Sequence, residues 1–200
     1  MRTSKLVHVL RERFPEVEAR PFAEALLLAA RKGKVSYSEV GEEGMILLAN
    51  AERLLVPVRT YRSLAWEDRV LTLKPGEEYE MPTVVRHMVL RAAEAGRWNP
   101  DHAVRRYLDE IGEMDRERVL ELFHRVLEGS RWTRKISAEQ LGDYAREVGL
   151  SGVLSRLTAE LKGGGIISPC LQASLFSGSL QYEVNPSLYR EQRNIRRVSR

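Results

Sequence analysis

The chain has 200 residues, 43% of them hydrophobic and 30% charged, with a formal net charge of +4. That length holds one large domain or two small ones, with enough apolar residues to bury a core. The single cysteine, Cys170, excludes an internal disulfide and a cysteine-rich zinc site. No apolar run is long enough to cross a membrane, and the N-terminus lacks a signal-peptide apolar stretch, so we expect a cytoplasmic protein without membrane contact.

Residues 1–80 are predicted to form a first domain. Periodicity and turn residues indicate a helix over 22–32, a short strand at Val35, a short helix over 36–40, a helix over 42–53 and a strand over 55–58. A hairpin is predicted over 59–73, with Glu67 and Asp68 at its turn and its second strand over 69–73. The resulting order is helix, strand, helix, helix, hairpin.

Three helices are predicted to follow. The first covers 83–95, the second begins at Pro100 with Asn99 as its N-cap, and the third follows Asp115 as its N-cap. We expect the third to open a C-terminal unit, while the first two pack the domains together or form a dimer interface. No internal sequence repeat is strong enough to indicate a duplication.

The segment 136–184 carries the clearest pattern in the chain. Ser137 and Gln140 fit a capping box at the start of a helix, and Gly149 fits a left-handed residue at its end. Ser151 is then expected to cap a second helix, which the three glycines at 163–165 stop.

A hairpin is predicted over 171–184 with Ser177 and Gly178 as a two-residue turn. This register places apolar residues opposite apolar ones, pairing Leu175 with Leu180, Ala173 with Tyr182, and Leu171 with Val184. Polar residues pair with polar ones on the other face, so a one-residue slip would mix the faces.

The pattern Ala145-x-x-x-Gly149-Leu150-Ser151 followed by Ser155-Arg156-x-Leu resembles the helix-turn-helix signature of winged-helix transcription regulators. The resemblance covers the last third of the chain and implies a winged-helix fold there. With the weaker match in residues 22–73, we predict an α+β, mainly helical fold of two winged helix-turn-helix units joined by central helices. The domains are then 1–80, 81–189 and a basic tail at 190–200.

Nothing in the sequence favours an enzyme, a metal site or a cofactor. The four histidines are scattered, with no His-Glu-x-x-His motif. The glycine run 163–165 follows Lys162 instead of preceding a Lys-Ser/Thr pair, so it is not a phosphate-binding P-loop.

Double-stranded DNA is the partner that the resemblance implies, and transcription regulation the function. In the second helix of the C-terminal unit the candidate DNA-binding residues are Ser151, Gly152, Ser155, Arg156 and Lys162, with Arg156 the best candidate for a guanine contact. Before that unit the candidates for the phosphate backbone are Arg131, Arg134 and Lys135, whereas Trp132 is interpreted as a core anchor. The tail accounts for the whole net charge, and its Arg193, Arg196 and Arg197 are further candidates.

Other features favour a protein partner. From Gly163 to Tyr189 the sequence contains no lysine or arginine, so the predicted C-terminal wing is neutral. The predicted N-terminal wing carries Arg59, Arg62 and Arg69, but the helix before it opens with two glutamates. The alternative function is therefore a winged-helix scaffold subunit that mediates protein–protein assembly, as a homodimer or with another protein.

Overall fold

The structure is a computed structural model that describes residues 2–58 and 65–189. Residues 59–64 of the predicted N-terminal hairpin, including Arg59 and Arg62, therefore lie outside the described residues. So do the tail candidates Arg193, Arg196 and Arg197. No helix among the described residues is long and apolar enough to span a membrane.

The first unit follows the N-terminal helix α1 (Arg2–Arg13). Its elements in chain order are α2 (Ala19–Lys32), β1 (Lys34–Ser36), α3 (Tyr37–Val40), α4 (Glu43–Ala51), β2 (Val56–Pro57) and β3 (Glu78–Glu80). The three strands form an antiparallel sheet in the order β1-β3-β2. Helix α3 begins where predicted because the Ser36 and Glu39 side chains form a capping box across its first turn.

The predicted strand over 69–73 is wrong, and the third strand of this sheet is β3. Tyr79 is buried at its centre, pairing with Val35 on one side and Pro57 on the other. Glu67 and Asp68 lie in a 3₁₀ turn, and Arg69 bonds the Pro57 carbonyl and the Glu80 carboxylate instead of entering a ladder. The segment that pairs with both partner strands is 78–80.

The central helices are α5 (Thr83–Ala95), α6 (Pro100–Glu110) and α7 (Arg116–Gly129). The predicted bounds of α5 are confirmed, as is the cap of α6, where the Asn99 side chain accepts from the His102 backbone N–H at 3.0 Å. Helix α5 packs on α1 and α6, and α7 packs on α6 and on the helix Ala138–Glu147 of the second unit.

The second unit repeats the order of the first, with one additional helix before its last strand. It contains α7, β4 (Lys135–Ser137), α8 (Ala138–Glu147), α9 (Leu154–Gly163), β5 (Ile167–Cys170), α10 (Leu171–Ser177) and β6 (Gln181–Val184). Its sheet order, β4-β6-β5, is the counterpart of the first sheet. The capping box of Ser137 and Gln140 and the left-handed backbone of Gly149 are confirmed. The predicted α+β, mainly helical fold is thus confirmed, with two units of one element order joined by central helices.

The predicted register of the C-terminal hairpin is wrong. Strand β6 pairs with β5, so that Val184 faces Ile167 and Tyr182 faces Pro169, and residues 171–177 between the strands form α10. Gly178 is the left-handed C-cap of that helix, not a hairpin turn. The alternation in β6 fits either upstream segment equally well, so it could not tell the two registers apart.

The two units contact each other through equivalent turns. Arg53 after α4 and Gly165 after α9 both have left-handed backbones. The Arg53 guanidinium binds Glu183 of β6, at 2.9 and 3.2 Å, and Gly165 packs on Pro82, just beyond β3. The turn after α4 therefore contacts β6 of the second unit, and the turn after α9 contacts the residue before α5. One hydrophobic core runs continuously through both units and the central helices.

Candidate nucleic-acid and protein interfaces

The predicted DNA-reading helix, α9, starts one short turn later than expected. Ser151 and Gly152 lie in an exposed 3₁₀ turn before it, and Ser155 is exposed in its first turn. Lys162 is half-buried in its last turn. These four candidate residues therefore lie along one helix and the turn before it. Ser151, Gly152 and Ser155 are accessible to a ligand.

Arg156 is held by two carboxylates. Its guanidinium bonds Glu113, whose side chain is only 1% exposed, and Glu160 one turn along α9 at 2.7 Å. These bonds raise the pKa of Arg156 above its ordinary value, and the bond from Arg156 lowers the pKa of Glu113. Both bonds come from the Nη1 atom of Arg156, so the two carboxylates fix the position of the guanidinium and offset its charge. The pair with Glu113 could not be anticipated from the sequence because Glu113 is distant in the chain.

The Glu113 contact predicts a pH dependence of stability. Because the pKa of Glu113 is lowered in the folded state, its stabilisation is complete above its ordinary value of 4.5 and is lost as the pH falls through the lowered value. We expect Glu113→Gln to lower the free energy of unfolding at pH 7 by about 1–2 kcal/mol. Urea unfolding at pH 7 and pH 3 measures this, and a deficit that does not shrink at pH 3 would contradict it.

The turn between α7 and β4, residues 130–134, presents a second group of predicted residues. Arg131 is exposed, Lys135 is exposed on the first position of β4, and the Arg131 guanidinium lies 5.5 Å from the centre of the Trp132 ring. Trp132 is 79% exposed, so its interpretation as a core anchor is wrong. The nearest buried side chain that follows in the sequence is Ile136 of β4.

Arg134 connects this turn to the start of the tail. Its guanidinium lies 3.6 Å from the centre of the Tyr189 ring, and the Tyr189 hydroxyl bonds the Ser130 side chain at 2.7 Å. From the other side, Arg13 of α1 donates to the carbonyls of Ser187, at 3.0 Å, and Tyr189, at 2.6 Å. The last described residue is thereby fixed between two arginines.

Arg13 and Arg134 place two guanidinium groups at the root of the tail, and Glu52 is close enough to Arg13 to offset part of their charge. Burial lowers the pKa of Arg13 to about 10, with attraction from Glu52 opposing this shift and repulsion from Arg134 adding to it. Arg13 therefore remains protonated at neutral pH. The tail then continues from Tyr189 with five arginines and one glutamate. Sequence reasoning found the tail and Arg134 but not Arg13, which lies near the opposite end of the chain.

The segment from α10 to the start of β6 exposes apolar side chains instead of charged ones. Helix α10 has no buried residue, and we define its wing patch as four exposed apolar side chains, Leu171, Leu175, Phe176 and Leu180. Leu175 is 85% and Phe176 93% exposed. The predicted hairpin would have placed three of these leucines in cross-strand pairs, which is why the sequence did not reveal the patch.

Residues 2–58 and 65–189 contain no group of three or more His, Cys, Asp or Glu side chains arranged to hold a metal ion. No curated protein and no solved structure matches the chain. One protein-family model, of a family of unknown function, matches residues 4–193. The match extends over nearly the whole sequence, and the chain therefore belongs to that family.

Proposed function

We propose that the protein binds double-stranded DNA as a tandem winged-helix protein and acts as a transcriptional regulator. The observation that carries the proposal is the pair of exposed cations Arg131 and Lys135, beside Arg134, which contacts Tyr189 where the arginine-rich tail begins. Cations grouped in this way neutralise successive phosphates and release counterions. The role in regulation rests on the resemblance to winged-helix regulators.

In this proposal the phosphate contacts come from the α7–β4 turn and the tail. Arg131 and Lys135 are exposed, and neither forms an ion pair with a carboxylate among the described residues. Trp132 adds an exposed ring beside Arg131, able to pack on a sugar or a base. The start of α9, with Ser151, Gly152 and Ser155, supplies small polar groups for the major groove. Arg156 keeps its ion pairs with Glu113 and Glu160.

The test is the affinity of the full-length protein for a fluorescently labelled duplex, measured by anisotropy over a range of salt. We expect Arg131→Gln with Lys135→Gln to weaken binding about tenfold and to reduce the slope of log K against log salt by about 2. The matched control removes two exposed cations elsewhere, Arg31 on α2 and Arg86 on α5. Equal losses in both variants would contradict this interface.

A scaffold subunit is the second candidate function, and α4 supplies the observation that favours it. The exposed residues at the start of α4 are Glu42, Glu43, Gly44 and Leu47. An acidic and apolar face repels phosphates and suits a protein surface. If the full-length protein fails to bind any duplex at low salt, the DNA proposal is wrong.

A further inference from the structure

We propose that Trp132 stacks on an unpaired base, so that the preferred ligand is a DNA duplex with a single-stranded extension. The inference rests on the proposed function and specifies which form of DNA the α7–β4 turn recognises. The Trp132 side chain is 79% exposed, whereas the other two tryptophans are packed into the fold. Trp66 is buried, and Trp98 is half-buried, with its indole N–H donating to the Ser187 carbonyl at 2.9 Å. Trp132 is therefore the tryptophan that a ligand can reach.

Short-range hydrogen bonds fix the backbone that carries this ring. The Arg134 N–H donates to the Ser130 carbonyl at 2.8 Å, and Arg134 itself has a left-handed backbone with φ 57°. The Thr133 hydroxyl donates to the Lys135 carbonyl at 3.0 Å and accepts from the Lys135 N–H at 3.2 Å. A turn that is already ordered loses less entropy on binding, so more of the stacking free energy contributes to affinity.

The side chains around Trp132 match a base and its phosphates. The Arg131 guanidinium lies 5.5 Å from the centre of the ring, and Lys135 is exposed on the first position of β4. The other side chains of the turn 130–134 are polar or charged. Proteins that bind single-stranded nucleic acid combine aromatic rings for the bases with cations for the backbone in this way. A stable protein interface buries about 800 Å² per partner, and one ring among cations lacks the apolar surface for it.

The carboxylates near the turn are fewer than the cations. Residues 129–138 contain three cations and no carboxylate, and the stretch is flanked by the exposed Glu128 and Glu139. Glu183 lies opposite Lys135 across the sheet, but the Arg53 guanidinium binds its carboxylate at 2.9 and 3.2 Å. The turn therefore keeps a positive balance toward a phosphate backbone.

A tryptophan ring can stack only on a base whose face is free. Inside a continuous duplex both faces of each base are covered by its neighbours, and a side chain that enters must first unstack them. A single-stranded extension offers unpaired bases without that cost, beside a duplex that the cations and the tail can hold. Each base stacked on an aromatic side chain strengthens binding about tenfold. The extension should therefore bind more tightly than the plain duplex.

The test uses the full-length protein and three labelled ligands that share one duplex: the plain duplex, the duplex with a short single-stranded overhang, and the same overhang built from abasic sites. The abasic overhang keeps the phosphates and removes the bases. By anisotropy, we expect the wild-type protein to bind the overhang with bases about tenfold more tightly than the abasic one. Trp132→Ala should bind these two ligands equally, whereas Trp132→Tyr should keep part of the preference. The matched control, Phe176→Ala, removes a ring that is 93% exposed outside this turn and should leave the preference unchanged.

Fluorescence supplies a readout that a merely structural role of Trp132 would not change. The difference between the emission of the wild-type protein and that of Trp132→Tyr isolates the exposed indole, because Trp66 and Trp98 are present in both. We expect the overhang with bases to quench this difference and the abasic overhang to leave it unchanged. Circular dichroism checks that each variant is folded.

The outcomes separate this inference from the proposed function. Duplex binding without a preference for bases in the overhang, or with a preference that Trp132→Ala retains or Phe176→Ala equally removes, overturns the stacking inference alone. Binding of the overhang with bases, but not of the plain duplex, contradicts the double-stranded DNA proposal and supports the stacking inference. Failure to bind any of the three ligands overturns both.

Discussion

Gly165→Ala is expected to destabilise the protein by about 3–5 kcal/mol, because it combines backbone strain with a clash between the units. Gly165 has φ +75°, where L-residues are disfavoured. A Cβ added there would lie well inside van der Waals contact with the Cβ of Pro82. Pro82 cannot move aside easily, since the next helix is tied to this turn by the bond from the Val84 N–H to the Gly164 carbonyl at 3.0 Å.

Gly149→Ala is the matched control for that substitution. Gly149 has nearly the same φ, +74°, but no atom within 4 Å of an added Cβ. It should cost only the backbone strain, about 1 kcal/mol. Urea unfolding of both variants separates strain from the contact between units. Equal destabilisation in the two variants would contradict the tight docking of the α9 turn on Pro82.

Removal of residues 190–200 is expected to produce the largest change in DNA affinity, about 100-fold at moderate salt. The tail carries five arginines against one glutamate. The slope of log K against log salt should fall by about 0.9 for each phosphate that the truncated protein no longer neutralises. Anisotropy with the same labelled duplex measures both the affinity and the slope.

The control for truncation keeps the tail and replaces its five arginines with glutamine. If charge is the cause, this variant should bind the duplex as weakly as the truncated protein does. Full retention of binding by either variant would show that the tail does not contact the duplex. An effect of truncation alone would assign the weaker binding to chain length instead of charge.

The parts of the fold that the sequence predicted are those determined by short-range interactions. Ser137 and Gln140 are three residues apart, and their capping box determines the start of α8 without any contact to a distant part of the chain. The same holds for the Asn99 cap of α6. The equivalent capping box of Ser36 and Glu39 in the first unit shows how similar local signals produce two units of similar topology.

Elements that depend on distant contacts were missed. The wing was predicted as a simple hairpin because β6 alternates correctly with either of two upstream segments. The third strand of the first sheet was misplaced for a similar reason, since Tyr79 and the apolar residues of 69–73 offered comparable patterns. Choosing between such segments requires knowledge of the neighbouring strands, which only the folded chain supplies.

In the candidate site too, the sequence revealed the short-range groupings and not the long-range contacts. Arg131, Arg134 and Lys135 were identifiable as a cluster because they are close together in sequence. The Arg156–Glu113 contact joins two residues 43 positions apart, and the contact from Arg13 to Tyr189 joins residues 176 positions apart. These long-range pairs change the interpretation, since one of them occupies the arginine expected to read bases and the other fixes the root of the tail.

Photo-crosslinking of the full-length protein to a duplex at low salt tests the DNA interface most directly. A benzoylphenylalanine residue would replace Trp132 in the α7–β4 turn, Ser155 at the start of α9, or Phe176 in the wing patch. We expect a strong crosslink from position 132, a weaker one from 155 and none from 176. A crosslink from position 155 or 176 without one from 132 would contradict the claim that the α7–β4 turn contacts DNA.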